Sequence, residues 1–272
     1  MINTNPIRRI AVIGTGVIGA SWTSLFLARG LQVVATDVAP NAEASLRKFV
    51  ETTWPALERL GLSPAASRSN LRFTADLAEA LTDADLVQEN GPERIDFKRK
   101  LYGQLDDLLP PDVIIASSSS GLTMSEIQSG AASYPDRCVI AHPFNPPHLI
   151  PLVEIVGGTR TSEETIRRAL EFYASIGQRP VRLNKEMPGH VANRLQAALG
   201  REVYYLIVEG VVSAAVGAEG LGAWQLHLHC CSLSTRLATR RLPTRTTRCS
   251  GWVGARLTTH RRLASSQSHG AR

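Results

Sequence analysis

Short apolar runs alternate with longer amphipathic stretches over most of this chain. Ile10-Ala-Val-Ile13 has the length and apolarity of a buried strand, and an apolar helical pattern follows through Trp22, Leu25, Phe26 and Ala28 to Gly30. Leu31 to Thr36 reads as a second strand. Asn41 to Leu60 reads as a long helix stopped at Gly61, with Ser63-Pro64 opening a shorter one. Leu71 to Phe73, Asp85 to Glu89 and Val113 to Ala116 are further strand candidates, separated by helical stretches at Leu77 to Leu81 and Arg94 to Leu108. Strands are also expected at Cys138 to Ala141, Pro151 to Val156 and Val181 to Leu183. Between the last two, Thr161 to Ile176 opens on Ser162-Glu-Glu, an N-cap followed by first-turn acids, and closes at Gly177. A final helical pattern starts near Pro188, a residue tolerated in a first turn, and reaches Glu209. Gly200 in its interior costs about 1 kcal/mol relative to alanine unless packing compensates. Strand and helix in alternation predict a parallel sheet with helices on both faces.

The turn between the first strand and the first helix is the most specific feature of this pattern. It reads Gly14-Thr15-Gly16-Val17-Ile18-Gly19. Gly14 permits the tight turn, Gly16 lets backbone amides approach a pyrophosphate, Gly19 lets helix and strand pack closely, and the helix N-terminus adds positive potential. Asp37, 18 residues past Gly19, stands at the end of the second strand, where it can accept hydrogen bonds from a ribose diol. A carboxylate repels a 2′-phosphate and no arginine follows it immediately, so NAD is expected rather than NADP. With the strand before, the helix after and the acid at this distance, the pattern predicts an α/β fold built on a Rossmann-type doubly wound sheet. Ligands in such sheets sit at the carboxyl ends of the strands.

Two of those ends carry polar loops, Glu89-Asn90-Gly-Pro-Glu93 and Ser117-Ser-Ser-Ser120-Gly121, which on their own are ordinary turn formers. The strand at Cys138 runs into His142-Pro143-Phe144-Asn145-Pro146-Pro147, where the prolines forbid a helix and leave His142 at a strand end facing the crevice. Glu154 lies inside an otherwise apolar strand, a costly place for a carboxylate without a partner. His142 is the obvious one.

Composition adds little until the charge is divided along the chain. The 272 residues are 43% hydrophobic and 20% charged, which is ordinary for a globular protein. No apolar stretch approaches the roughly 20 residues of a membrane helix, and Met1 to Arg9 lacks a signal peptide's apolar core, so a cytoplasmic location without membrane contact is expected. The net charge of +6 points at first to an anionic partner. Nine arginines, no lysine and Glu219 give the last 63 residues +8, however, which leaves −2 for the first 209. Three of the four cysteines also lie in this segment, which shows no sustained helical or strand period. Arg236, Arg240, Arg241, Arg245 and Arg248 could neutralise phosphates, with Trp252 available to stack on a base, but nucleic acid is the weakest reading. His227-Leu-His229-Cys230-Cys231 lacks CxxC spacing, so no metal is expected.

Taken together, the glycine turn, His142-Pro-Phe-Asn-Pro, Glu154 and Pro188-Gly-His-Val-Ala-Asn-Arg194 make residues 7 to about 212 resemble the 3-hydroxyacyl-CoA dehydrogenase family. The Gln88 to Arg94 loop and the Ser117 to Leu122 stretch look more like its carnitine dehydrogenase and lambda-crystallin (gulonate dehydrogenase) branch than like the fatty-acid oxidation enzymes. The resemblance implies NAD-dependent oxidation of a 3-hydroxy acid or 3-hydroxyacyl-CoA thioester. Ser120, His142, Glu154 and Asn193 match the family's catalytic positions. The cofactor is assigned to Gly14, Thr15, Gly16, Val17, Ile18 and Gly19 with Asp37, Glu93, Lys98, Ser120 and Asn145. In that scheme His142 takes the hydroxyl proton, Glu154 holds its tautomer, and Ser120 and Asn193 position the reacting oxygen.

The resemblance divides the chain into residues 1–185, the NAD-binding Rossmann-like domain; 186–212, the first long helix of a helical domain; and 213–272, a basic tail expected to be disordered. Family members continue with a helical domain that commonly forms a homodimer, and a frame shift near residues 210 to 216 is the expected origin of the tail. A non-catalytic NAD(H)-binding protein of crystallin type, or a product inactivated by that shift, is the alternative.

Overall fold

In the computed structural model, residues 6–217 together with 219 and 220 are described. Eight strands form one sheet in the order β3-β2-β1-β4-β5-β6-β7-β8. They are β1 (Arg9–Ile13), β2 (Gln32–Thr36), β3 (Leu71–Thr74), β4 (Leu86–Glu89), β5 (Ile114–Ser117), β6 (Cys138–Pro143), β7 (Leu152–Gly157) and β8 (Arg179–Arg182). The helices are α1 (Val17–Ala28), α2 (Ala42–Leu60), α3 (Leu77–Leu81), α4 (Ile95–Leu108), α5 (Met124–Ile127), α6 (Glu163–Ser175) and α7 (Ala192–Val208). The Rossmann-type doubly wound sheet is therefore present. Strand order reverses between β1 and β4, and a crevice opens there at the strand ends.

Side chains alternate across the sheet into two cores. Ile10, Val12, Val33 and Ala116 face α1, α2 and α6, where Trp22, Phe26, Leu46 and Phe172 pack. Ala11, Ile13, Val87 and Ile115 face α4 and α5, against Tyr102, Leu105, Met124 and Ile127. Helix α1 is buried nearly all round, because it lies between the sheet and α2; this is why its apolar residues form no single stripe. Polar side chains, partly or fully buried, join the strand ends beneath the crevice. Ser118 Oγ accepts from Trp22 Nε1 at 3.1 Å and Gln88 Nε2 at 3.0 Å and donates to Asn90 Oδ1 at 2.8 Å.

Several expectations need correction. The sheet is mixed, since β7 runs antiparallel to β6 and β8 follows β7. A hairpin, unlike a crossover, allows that reversal across the short proline-rich connection. No α-helix opens at Ser63-Pro64; a 3-10 turn forms instead at Arg68–Asn70, with the Ser67 side chain as its cap. Pro188 precedes the long helix, because Gly189 and His190 take left-handed backbone angles of φ +78° and +50° and α7 starts only at Ala192. Gly200 meets no atom within 4 Å, so packing does not offset its cost. Helix α7 has no buried residue, and Tyr204 and Val208 are among its exposed side chains. The tail does not begin irregularly at 213: residues 214–217 are helical, with the Val216 amide donating to Ser213 Oγ at 3.3 Å. The remaining features ascribed to the tail, including the basic arm, the histidine-cysteine cluster and the expected disorder, lie outside the described residues. No helix among the described residues is long and apolar enough to cross a membrane.

Candidate active site

The first wall of the crevice is the β1–α1 turn. Gly14 has φ +81°, and a Cβ there would lie 2.8 Å from the Asn90 carbonyl oxygen. Gly16 is the N-cap of α1; no side chain caps the helix, and a Cβ on Gly16 would meet nothing within 4 Å. Free amides next to open space suit an anionic pyrophosphate. Gly19 has the tightest packing, since a Cβ there would fall 1.9 Å from the Gly14 carbonyl oxygen. Gly19→Ala should therefore cost about 1–3 kcal/mol in urea unfolding and weaken NADH binding. Unchanged unfolding and affinity would show that the turn tolerates the methyl.

Asp37 Oδ2 accepts from the Thr15 amide at 2.6 Å and the Thr15 hydroxyl at 3.0 Å, and its Oδ1 accepts from the Ala39 amide at 2.9 Å. Burial pushes the carboxyl up, but the amides of Thr15 and Ala39 and the Thr15 hydroxyl outweigh this and hold it below the usual carboxylate range. Oδ1 keeps a lone pair for a ribose hydroxyl. Ile18 lines the cavity described below, whereas Val17 is 60% exposed and points away from the core.

The second wall comes from the loops after β4 and β5. Glu93 Oε1 gathers the Ser119–Leu122 turn, accepting from Ser119 Oγ at 2.7 Å and from the amides of Ser120, Gly121 and Leu122 at 3.1, 2.6 and 3.2 Å. Lys98 lies beneath this loop, with its Nζ 4.0 Å from Glu93 Oε2. It is fully buried, and its Nζ lies 2.8 Å from both carboxylate oxygens of Glu89. Glu89 Oε2 also accepts from Ser117 Oγ at 2.6 Å. Lys98 thus neutralises a buried acid beneath the loop and does not line the cavity. The sequence shows an exposed-looking lysine near the start of a helix, and only the packing reveals its partner.

The third wall is the β6–β7 hairpin. Its register sets His142 opposite Glu154, so the two side chains share one face. His142 Nδ1 lies 2.8 Å from Glu154 Oε2, and both residues are buried. The other oxygen, Oε1, accepts from the amides of Val191 and Ala192 at 3.1 Å each, at the open start of α7. Burial raises the Glu154 carboxyl, but His142 and these two amides outweigh it, so the group stays ionised below the usual range. A carboxylate only accepts, so Nδ1 carries the imidazole proton and Nε2 is left as the basic nitrogen. A cavity of about 1030 Å³ is lined by Ser120, His142, Asn145, Glu154 and Asn193. Asn193 Nδ2 donates to the Ser120 carbonyl oxygen at 3.3 Å. The four expected catalytic residues are thus brought together, with Asn145 at the rim.

Sequence reasoning missed two buried histidines. His148 Nδ1 lies 2.6 Å from Ser21 Oγ, which anchors the proline loop to α1, and burial pushes this imidazole below its usual range. His190 lies 5.1 Å from His142, ring to ring. Its place in Pro188-Gly-His-Val was the only available signal, and nothing local distinguishes it from a surface residue.

Residues 9–187 match the family described as 3-hydroxyacyl-CoA dehydrogenase, NAD binding domain. The chain is 49% identical over 207 residues to an L-carnitine dehydrogenase of Pseudomonas aeruginosa, covering 76% of this chain and 64% of that protein. It is 50% identical over 211 residues to a 3-hydroxyacyl-CoA dehydrogenase of Gibberella moniliformis, covering 78% and 65%. It therefore spans just under two thirds of these relatives' length. Among solved structures, an NAD+-dependent dismutase, 5-formyl-3-hydroxy-2-methylpyridine 4-carboxylic acid 5-dehydrogenase, aligns with TM-score 0.74 and 36% identity over 86% of this chain and 80% of its own. The glycine turn, the acid at the end of β2 and the match over 9–187 lead to one conclusion: the chain belongs to the 3-hydroxyacyl-CoA dehydrogenase family and contains its NAD binding domain.

Proposed function

We propose that this chain oxidises the 3-hydroxy group of a small acid, or of its CoA thioester, to the 3-oxo product with NAD. The observation that carries this reading is the His142–Glu154 pair, 2.8 Å apart, in a cavity shared with Ser120 and Asn193. When bound, NAD supplies the acceptor for the hydride leaving C3. His142 Nε2 takes the hydroxyl proton, a step in which a general base is typically worth about 10²- to 10⁴-fold. Glu154 stabilises the imidazolium that results and keeps the ring in the tautomer that leaves Nε2 free. Ser120 and Asn193 hydrogen-bond the reacting oxygen.

The substrate is proposed to be anionic. Arg182 and Lys185 line the same cavity, and Glu154, its acidic lining residue, is already engaged by His142. Arg182 is paired with Glu163 at 2.7 Å, which leaves the exposed Lys185 as the candidate carboxylate partner. Lys185→Gln should raise KM for the hydroxy acid about tenfold with little change in kcat, as expected for one lost charged hydrogen bond. An unchanged KM would remove Lys185 from recognition. Residues 1–185 are proposed as the nucleotide-binding unit and 186–212 as the element that closes the site over Glu154.

The test is NADH formation from carnitine, gulonate and 3-hydroxybutyryl-CoA, run beside NADH binding. Turnover of any of these supports the reading; tight NADH binding without turnover favours the non-catalytic alternative.

A further inference from the structure

His190 takes no part in the proton transfer proposed above, yet it sits beside the base. It is 1% exposed, at the entrance to α7, with its ring tilted by 44° to that of His142. Its Nε2 lies 3.0 Å from the Ser119 carbonyl oxygen. A carbonyl only accepts, so Nε2 bears the proton and Nδ1 the lone pair. Nδ1 is buried and has no hydrogen-bond partner among the described residues. The backbone at His190 is left-handed, φ +50°, a conformation that histidine adopts more readily than most residues with a side chain. Packing alone would be met better by an apolar ring without a bare lone pair. The hydrogen bond from Nε2 is what a histidine adds.

That bond completes the hold on one turn. Glu93 takes the amide side of Ser119–Leu122. The carbonyl side is held from the segment that enters α7 and from its first turn, with His190 on the Ser119 oxygen and Asn193 on the Ser120 oxygen. Ser119 is 2% exposed, so no water readily replaces the imidazole. We propose that His190 is a positioning residue, a neutral imidazole that clamps the Ser119–Ser120 turn to the start of α7 so that Ser120, His142 and Asn193 keep their places around the cavity. The proposal rests on the reading of the site given above. Burial pushes the His190 imidazole below its usual range and His142 adds to this, against the opposing pull of the Ser119 carbonyl, Glu154 and Glu93. The clamp therefore adds no charge beside the base.

The test uses three variants of the full chain. His190→Phe keeps the ring and loses the donor, His190→Asn tolerates the left-handed backbone but is too short to reach, and His190→Gln keeps a donor at similar length. Phe and Asn should each lower kcat about tenfold, the scale of one positioning hydrogen bond, with NADH affinity and KM within about twofold. Gln should recover kcat to within about threefold of the parent chain. Hydrogen exchange at the Ser120–Leu122 amides should speed up in the Phe and Asn variants and not in Gln. Parental kcat and exchange in all variants, or a Gln variant as impaired as Phe, would overturn the clamp. If the parent chain binds NADH without turnover, the proposed activity fails by itself, and the exchange pattern still decides for or against His190.

Discussion

His142→Gln is expected to lower kcat for hydroxy-acid oxidation by about 10²- to 10⁴-fold while NADH affinity stays the same. His142 is 6% exposed and fixed through Nδ1 to Glu154, so its Nε2 is the basic atom facing the cavity. Glutamine can still donate to Glu154 but cannot take a proton from the substrate. Most groups assigned to the cofactor lie on the β1–α1 turn and at Asp37, away from β6, and Ser120 and Asn145, which share the cavity with His142, are unchanged in this variant, which is why binding and turnover should separate. Steady-state kinetics beside NADH fluorescence titration reads both. A variant that retains more than about a tenth of kcat would take His142 out of the proton transfer.

Glu154→Gln should cost nearly as much, up to about 10⁴-fold in kcat, the scale seen when an amide replaces the carboxylate behind a catalytic imidazole. The amide has one acceptor oxygen where Glu154 uses two: Oε2 toward His142, and Oε1 toward the amides of Val191 and Ala192. It also lacks the charge that would stabilise an imidazolium. Stability should respond to pH as well. The folded carboxyl sits below its ordinary value, so its contribution is fully present above the ordinary carboxylate range and is lost as pH falls through the lowered folded value. Urea midpoints measured across the acid range should therefore fall less steeply in the variant than in the parent chain. Parallel curves would mean that the carboxylate contributes nothing to folding, and full kcat would end its role behind His142.

Much of this site is legible in the residues, and the reasons differ from element to element. The glycine turn can be read because each glycine answers a separate steric demand, and Gly19 meets the severest of them, 1.9 Å from a carbonyl oxygen. The Thr161 to Ile176 pattern becomes α6 because its cap is local: Ser162 Oγ accepts from the Thr165 amide at 3.1 Å. Glu154 could be paired with His142 in advance because a carboxylate in an apolar strand needs a partner. Lys98 could not be placed, since a helix-start lysine looks the same whether it meets a cofactor or a buried Glu89. The start of α7 was misplaced for a related reason, because Gly189 and His190 take left-handed angles and the His190 side chain meets the Ser119 carbonyl oxygen, a partner far away in sequence.

By itself, the amino-acid sequence determined the strand-helix alternation, the nucleotide turn and the pairing of Glu154 with His142. These follow from interactions among residues close in the chain: period, caps and the steric freedom of glycine. Only the tertiary structure decided how the site is held. The contacts of Glu154 with Val191 and of His190 with Ser119 join residues 37 and 71 positions apart. Such pairings depend on the register of the antiparallel β6–β7 hairpin and on how α7 docks across it, and both are set by packing across the whole sheet.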